Sequence, residues 1–141
     1  GGEGWLEDEM YATLAETGLQ DVVHLIGFAE EKHLPALYQN AECLVFPSLY
    51  EGFGFPVLES MASGTPVITS NLSSLPEVAG DAALLVDPYN VDEITYAVQR
   101  ILDDSSLRKT LIEQGYTQAQ TFTWERSAQQ LQGVYNHVLA L

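Results

Sequence analysis

Four short apolar runs, each separated from the next by residues with helical spacing, constrain this fold more than any other feature. Residues 22–26, 43–46, 67–69 and 83–86 are too short for helices, and too uniformly apolar for strands with one wet face. Between and after them the apolar residues recur at three and four. Leu6, Met10 and Leu14 predict a helix that Gly18 ends, and Leu34, Leu37, Tyr38 and Ala41 predict another, with Pro35 in its first turn. Pro56 to Ala62 reads as a third helix, with Gly64 just past its end. Ser74 and Glu77 have the spacing of a capping box, so a short helix starts there, and Asn90 with Glu93 repeats the signal. The stripe Ile94, Ala97, Val98, Ile101, Leu102 follows it. Two further helices are expected, Ser106 to Phe122 and Trp124 to Leu139, the last with Trp124, Ala128, Leu131, Tyr135 and Val138 on one side. Short buried strands alternating with helices predict an α/β fold, a doubly wound parallel sheet covered on both faces. In such sheets ligands sit beyond the carboxyl ends of the strands, on the strand-to-helix loops.

The composition agrees. In 141 residues, 46% hydrophobic against 18% charged side chains favour a buried core over disorder. The division expected is a domain over 1–122 with a closing helix over 123–141 that belongs to it. Twenty acidic and five basic side chains give a formal charge of −15, which disfavours a nucleic-acid backbone or an anionic membrane surface as main partner. Lys32 is the single cation before Arg100. Cys43, the one cysteine, has no partner for an internal disulfide and points to a reducing compartment. No run approaches the roughly 18 apolar residues of a membrane span, and the first residues lack the basic and apolar regions of a signal peptide. Asn71-Leu72-Ser73 fits the short glycosylation acceptor pattern.

The loop from Pro47 to Glu59 carries the chemistry. It runs from a strand end through Gly52 and Gly54 to a helix start at Pro56. Glycines permit torsions and close approaches that a β-carbon forbids, and a helix start presents unpaired N–H groups at the positive end of its dipole, a favourable place for phosphate. A plain strand-to-helix turn also uses glycine, so the loop alone leaves both readings open. Glu51 and Glu59 flank it. A carboxylate beside phosphate is unfavourable, so with a phosphorylated ligand these two would face donors such as sugar hydroxyls; with none, they are solvated surface charges. Two carboxylates also raise glycoside hydrolysis. No nucleophile motif, Cys–His pair or metal-ligand spacing accompanies them, and His24 (in a strand), His33 (at a helix start) and His137 (in the last helix) read as structural or surface residues.

The run FPSLYEGFGFPVLESMASGTPVITSN, followed by SSLPEVAGDAALLVDP, resembles the nucleotide-sugar-binding domain of the family 4 retaining glycosyltransferases, of Rossmann-like fold and GT-B architecture. Two glutamates separated by seven residues are that family's mark, met here by Glu51 and Glu59, and the similarity extends from HLIGF to FTWERSAQQLQGVY. By resemblance Glu59 holds the ribose hydroxyls and Glu51 contacts hydroxyls of the donor sugar. Gly52, Phe53 and Gly54, with Phe55 continuing the segment, match the loop whose amides approach sugar and diphosphate. Gly27, Phe28, Ala29 and Glu30 match the loop bordering the base, and Val57 and Leu58 the helix start under ribose and phosphate. The implied reaction moves a hexose from a nucleotide diphosphate sugar, GDP-mannose or a UDP-hexose, to a sugar, lipid or other hydroxyl acceptor. It retains configuration by a front-face route, so Glu51 is not presumed a nucleophile, and it needs no cofactor and usually no bound metal. The resemblance implies a cytoplasmic enzyme, or one at the cytoplasmic membrane face.

The chain departs from the full pattern. Gly1-Gly2 resembles the end of that domain's second strand, so both opening strands, the Arg–Lys pair that neutralises the diphosphate and the acceptor-binding domain are expected to lie outside this sequence. The family's sheet order, 3-2-1-4-5-6, then leaves a gap between the strand at 22–27 and the strand at 43–47, which further polypeptide or a partner copy would fill. Two alternatives stand beside the transferase. One is a non-catalytic module binding nucleotide sugar or another subunit; the other is a glycoside hydrolase using Glu51 and Glu59.

Overall fold

A computed structural model describes residues 7–140. By its internal contacts the chain divides into two compact units, Gly1–Leu34 and Pro35–Leu141. In the first, α1 (Glu7–Thr17) stops at Gly18, whose φ of +67° turns the chain so that the Leu19 N–H bonds back to Leu14 O at 3.3 Å. Leu6 and the opening Gly1-Gly2 lie outside the described residues.

The strand expected over 22–26 does not form, and His24 accordingly is not in a strand. A strand's N–H and C=O groups need a neighbouring strand to pair with, and among the described residues none runs alongside this segment. Its apolar side chains stay in contact with water, Val22 at 68% and Ile26 at 65% exposure. A single turn of 3-10 helix, Glu31–His33, then leads to α2 (Leu34–Gln39), with Pro35 in its first turn as expected.

The second unit holds the sheet. β1 (Leu44–Phe46), β2 (Val67–Ser70) and β3 (Ala83–Val86) are parallel and lie side by side in chain order, with Val45 paired to Ile68 and Ile68 to Leu84. The helices α3 (Phe55–Ala62), α4 (Leu75–Ala79), α5 (Val91–Asp103), α6 (Ser105–Ala119) and α7 (Trp124–Leu139) follow or separate the strands. Every residue of β2 is buried, and its alternating side chains enter two different clusters. Val67 packs with Val57 and Met61 of α3 and with Leu75 and Val78 of α4; Ile68 packs with Val86, with Ala97 and Ile101 of α5, and with Leu111 of α6. Both faces of the sheet are therefore covered, the arrangement expected for a doubly wound fold. Leu102, counted in the α5 stripe, stays about half exposed, outside the cluster that takes Ala97 and Ile101.

Three further expectations change. The last helical turn before α7 ends at Ala119 and not Phe122, because Thr121 folds back on Gln118 O through both its N–H (3.0 Å) and its hydroxyl (2.7 Å). Ser74 occupies the N-cap position of α4, yet its side chain makes no capping bond; two loop carbonyls, described below, take its hydroxyl instead. α7 starts where Thr123 Oγ1 accepts from Arg126 N, but it has no buried residue: Trp124, Leu131, Tyr135 and Val138 all face solvent. Asn90 behaves as its spacing suggested, its Oδ1 accepting from Glu93 N at 3.1 Å.

Candidate functional site

The loop after β1 is held from the loop after β2 by side-chain hydroxyls. Thr69 Oγ1 donates to Phe46 O at 2.9 Å and Ser70 Oγ to Ser48 O at 2.6 Å, so the strand end is fixed before the loop begins. Ser48 Oγ donates to Glu51 Oε1 at 2.9 Å, setting that carboxylate's direction. Ser73 brackets the same residue: its Oγ accepts from Glu51 N at 3.0 Å and donates to Glu51 O at 2.6 Å. Ser74 Oγ lies 2.7 Å from Phe53 O and 3.0 Å from Glu51 O. Ser73 reaches this position at φ +59°, a left-handed conformation costing an L-residue about 1–2 kcal/mol. Two bonds to one peptide unit offset that cost.

Gly54 is required twice over. Its φ is +118°, and a β-carbon there would stand 2.8 Å from Leu75 Cδ2. Gly52 is different: its φ is not left-handed and a β-carbon would meet open space, so the torsional need expected of it is absent. The amides of Gly52, Phe53 and Gly54 have no acceptor among the described residues, while Val57 N donates to Gly54 O at 3.0 Å and starts α3, with Pro56 in its first turn. Gly52 is exposed, Phe53 half-buried and Gly54 buried, and their N–H groups follow a fixed carboxylate directly in the chain.

Glu59 projects from the middle of α3, exposed, and accepts a hydrogen bond from the Tyr38 hydroxyl at 3.1 Å on its Oε2. Tyr38 is itself anchored, since Thr65 Oγ1 donates to its carbonyl at 2.6 Å. Partial burial, and then the hydrogen bond from the phenol to Glu59, push the Tyr38 pKa up to about 12. Burial, with Glu42 beside it, also raises the Cys43 thiol, which disfavours the thiolate.

Of the other residues singled out from the sequence, Val57 is fully buried in the core, and Leu58 is half-buried. Phe53 packs against Phe55 with ring centroids 4.8 Å apart and planes tilted by 51°, and meets Phe122 edge-on at 5.7 Å. These rings, with Leu58 and Trp124, line an apolar cavity of about 280 Å³. A larger cavity of about 550 Å³ lies between β3 and α5, and neither Glu51 nor Glu59 lines either space. Gly27, Phe28, Ala29 and Glu30 belong to the first unit, where Gly27 has φ +63°, Phe28 is 79% exposed and Glu30 pairs with Lys32 at 2.6 Å. His33 closes the 3-10 turn and His137 lies in the last turn of α7. Among the described residues no group of three His, Cys, Asp or Glu comes together to hold a metal ion, and no helix is long and apolar enough to cross a membrane.

The bracing residues Tyr38, Ser48, Thr65, Thr69, Ser70, Ser73 and Ser74 were not singled out from sequence for this work. The signal was the hydroxyl-rich stretch Thr69-Ser70-Asn71-Leu72-Ser73-Ser74 just past an apolar run, since such side chains in loops bond to main chain.

The family model described as "Glycosyl transferases group 1" matches residues 1–118. The chain belongs to this family, the family 4, GT-B type. It is 42% identical over 136 residues to "O-antigen chain mannosyltransferase B" of Escherichia coli, covering 96% of this chain and 35% of that protein. It is 40% identical over 131 residues to "MMP alpha-(1->4)-mannosyltransferase" of Mycolicibacterium hassiacum, covering 90% and 32%. Among solved structures, the sucrose-phosphate synthase of Thermosynechococcus elongatus superposes with a TM-score of 0.84 at 32% identity, over 99% of this chain and 37% of that one. The C-terminal domain of a group 1 glycosyl transferase from Francisella tularensis gives 0.71 at 31%, over 82% and 60%. The chain spans about a third of the length of the curated relatives it matches. Membership in a transferase family sets the hydrolase reading aside.

Proposed function

We propose that this chain is the donor-binding part of a longer enzyme that moves a hexose from a nucleotide diphosphate sugar to a hydroxyl acceptor, with retention of anomeric configuration. The observation that carries this is the braced loop: Glu51 is held at its N–H, its C=O and its carboxylate, beside three amides with no acceptor among the described residues. Amide donors suit the diphosphate and carboxylates suit hydroxyls, so Gly52 to Gly54 take the phosphates, Glu51 the donor sugar and Glu59 the ribose. In the reaction the bond from the anomeric carbon to the diphosphate oxygen breaks. The acceptor oxygen bonds to that carbon from the same face and passes its proton to the departing diphosphate oxygen, and the amides meet the charge growing on the leaving group.

Mannose is the favoured sugar, because the relatives at 42% and 40% identity are mannosyltransferases by name. GDP-mannose is therefore the first donor to test, with UDP-hexoses next and a sugar or lipid as acceptor. A chain of charge −15 is a poor host for a dianion, and Lys32 and Arg108 are paired with Glu30 and Glu42. Cations contributed by the rest of the enzyme complete the diphosphate site in this reading. Calorimetry of the complete enzyme with GDP-mannose and UDP-glucose tests it. Glu59→Ala is expected to weaken the donor that binds by about 1.5–3 kcal/mol, the contribution of a hydrogen bond to a charged group. Unchanged affinity would remove Glu59 from the site.

A further inference from the structure

We propose that Tyr38 is a positioning residue that aims the Glu59 carboxylate at a vicinal diol and so sets discrimination for ribose over sugars lacking those hydroxyls. The inference rests on the reading of Glu59 given above and deepens it.

Glu59 sits on the exposed side of α3, where a glutamate side chain ordinarily samples many rotamers and loses that freedom when a ligand fixes it. Here one oxygen, Oε2, already accepts from a phenol at 3.1 Å. The phenol is a rigid donor on a short arm, and its own position is set from behind by a buried group. Thr65, only 3% exposed, donates to the Tyr38 carbonyl at 2.6 Å, while Ser60 Oγ donates to Thr65 O at 3.2 Å. The chain of contacts thus runs from the core of α3 through Thr65 and α2 to the tip of Glu59. A carboxylate has about four acceptor directions. With one taken by Tyr38, Oε1 and the remaining lone pair of Oε2 stay available to two adjacent hydroxyls, in an orientation fixed before the ligand arrives. The phenol stays protonated, and so remains a donor, across the physiological range, as its pKa of about 12 requires. Phenylalanine would fill the same space and leave Glu59 unaimed.

The test measures GDP, UDP and their 2′,3′-dideoxy analogues binding to the complete enzyme by calorimetry, for wild type, Tyr38→Phe, Glu59→Gln and the double variant. The account expects wild type to prefer the ribose form of the nucleotide it takes by about ten-fold or more. Tyr38→Phe should lower affinity for the ribose nucleotide about 3- to 10-fold and leave the dideoxy analogue unchanged. In the Glu59→Gln background the same substitution should have little further effect. Equal losses for ribose and dideoxy nucleotides would make Tyr38 a merely structural residue, and no loss at all would remove it from the site; either overturns the proposal while leaving the role of Glu59 intact. A wild type that binds neither nucleotide, or binds ribose and dideoxy forms alike, would instead overturn the reading of Glu59 and this proposal with it.

Discussion

Residues 22–26 and β2 are runs of the same chemistry in one chain, and they differ in what surrounds them. In β2, Val67 and Ile68 are fully buried, each strand edge is paired, and the strand's own Thr69 and Ser70 hydroxyls reach across to Phe46 of β1 and to Ser48 just past it. In the first unit Val22 and Ile26 stay mostly exposed, and among the described residues the backbone bonds locally, Val22 N and Val23 N to Leu19 O. An apolar β-branched run is thus a strand when two neighbours take its N–H and C=O groups and two layers of helix cover its faces. The same difference separates the two loops that follow these runs. The loop over 47–54 is bracketed by three hydroxyl side chains from elsewhere, those of Ser70, Ser73 and Ser74, whereas Phe28 to Glu30 shows an exposed Phe28 and a surface ion pair, whose contribution is small.

The sharpest way to break this contrast is a matched pair of core truncations. Ile68→Ala removes a side chain packed between two layers and is expected to destabilise by about 2–5 kcal/mol, while Ile26→Ala should stay within about 0.5 kcal/mol. Urea unfolding of both variants decides it, and similar losses would mean that 22–26 is as buried as β2. Glycine substitutions come next. Gly54→Ala combines a left-handed backbone with a β-carbon 2.8 Å from Leu75 and should cost about 2–4 kcal/mol. At Gly27 an added β-carbon meets nothing within 4 Å among the described residues, and Gly27→Ala is expected to show the cost of its φ of +63°, about 1–2 kcal/mol.

Much of this was legible beforehand because it depends on local pattern. The helix bounds at Gly18 and Gly64, the Asn90 cap, the three sheet strands and the Glu51–Glu59 spacing all follow from residue types within a few positions of one another. What was not legible depends on partners distant in sequence. The reassignment of Ser74 from capping to bracing is set by residues 20 or more positions away, in its contacts with Glu51 and Phe53, and neither the unpaired state of 22–26 among the described residues nor the exposure of the α7 stripe follows from local pattern. Ser73 is the clearest instance: the hydroxyl-rich stretch around it signals bonding to main chain, but neither φ +59° nor Glu51 as the partner.

Two smaller effects sharpen the account of the loop. Ser73→Ala loses both bonds to Glu51 and keeps the unfavourable φ, so a loss of about 1–3 kcal/mol is expected in urea unfolding. Ser73→Gly removes the backbone cost as well, and its loss should be smaller. A wild-type loop unaffected by both would show that the bracing is incidental. The smallest expected effect is at high pH. The Tyr38 phenol ionises near 10 when unfolded and at about 12 when folded, so the unfolded chain loses its proton first and stability falls as pH rises from 10 to 12. Tyr38→Phe should show a shallower decline over that window, read as the difference between the two unfolding curves.

The central claim concerns where a nucleotide sugar lies, and a crystal structure of the complete enzyme soaked with GDP-mannose tests it most directly. The account predicts ribose hydroxyls on the Glu59 carboxylate, sugar hydroxyls on Glu51 and diphosphate oxygens at the amides of Gly52 to Gly54. Donor density seated away from both carboxylates would contradict it.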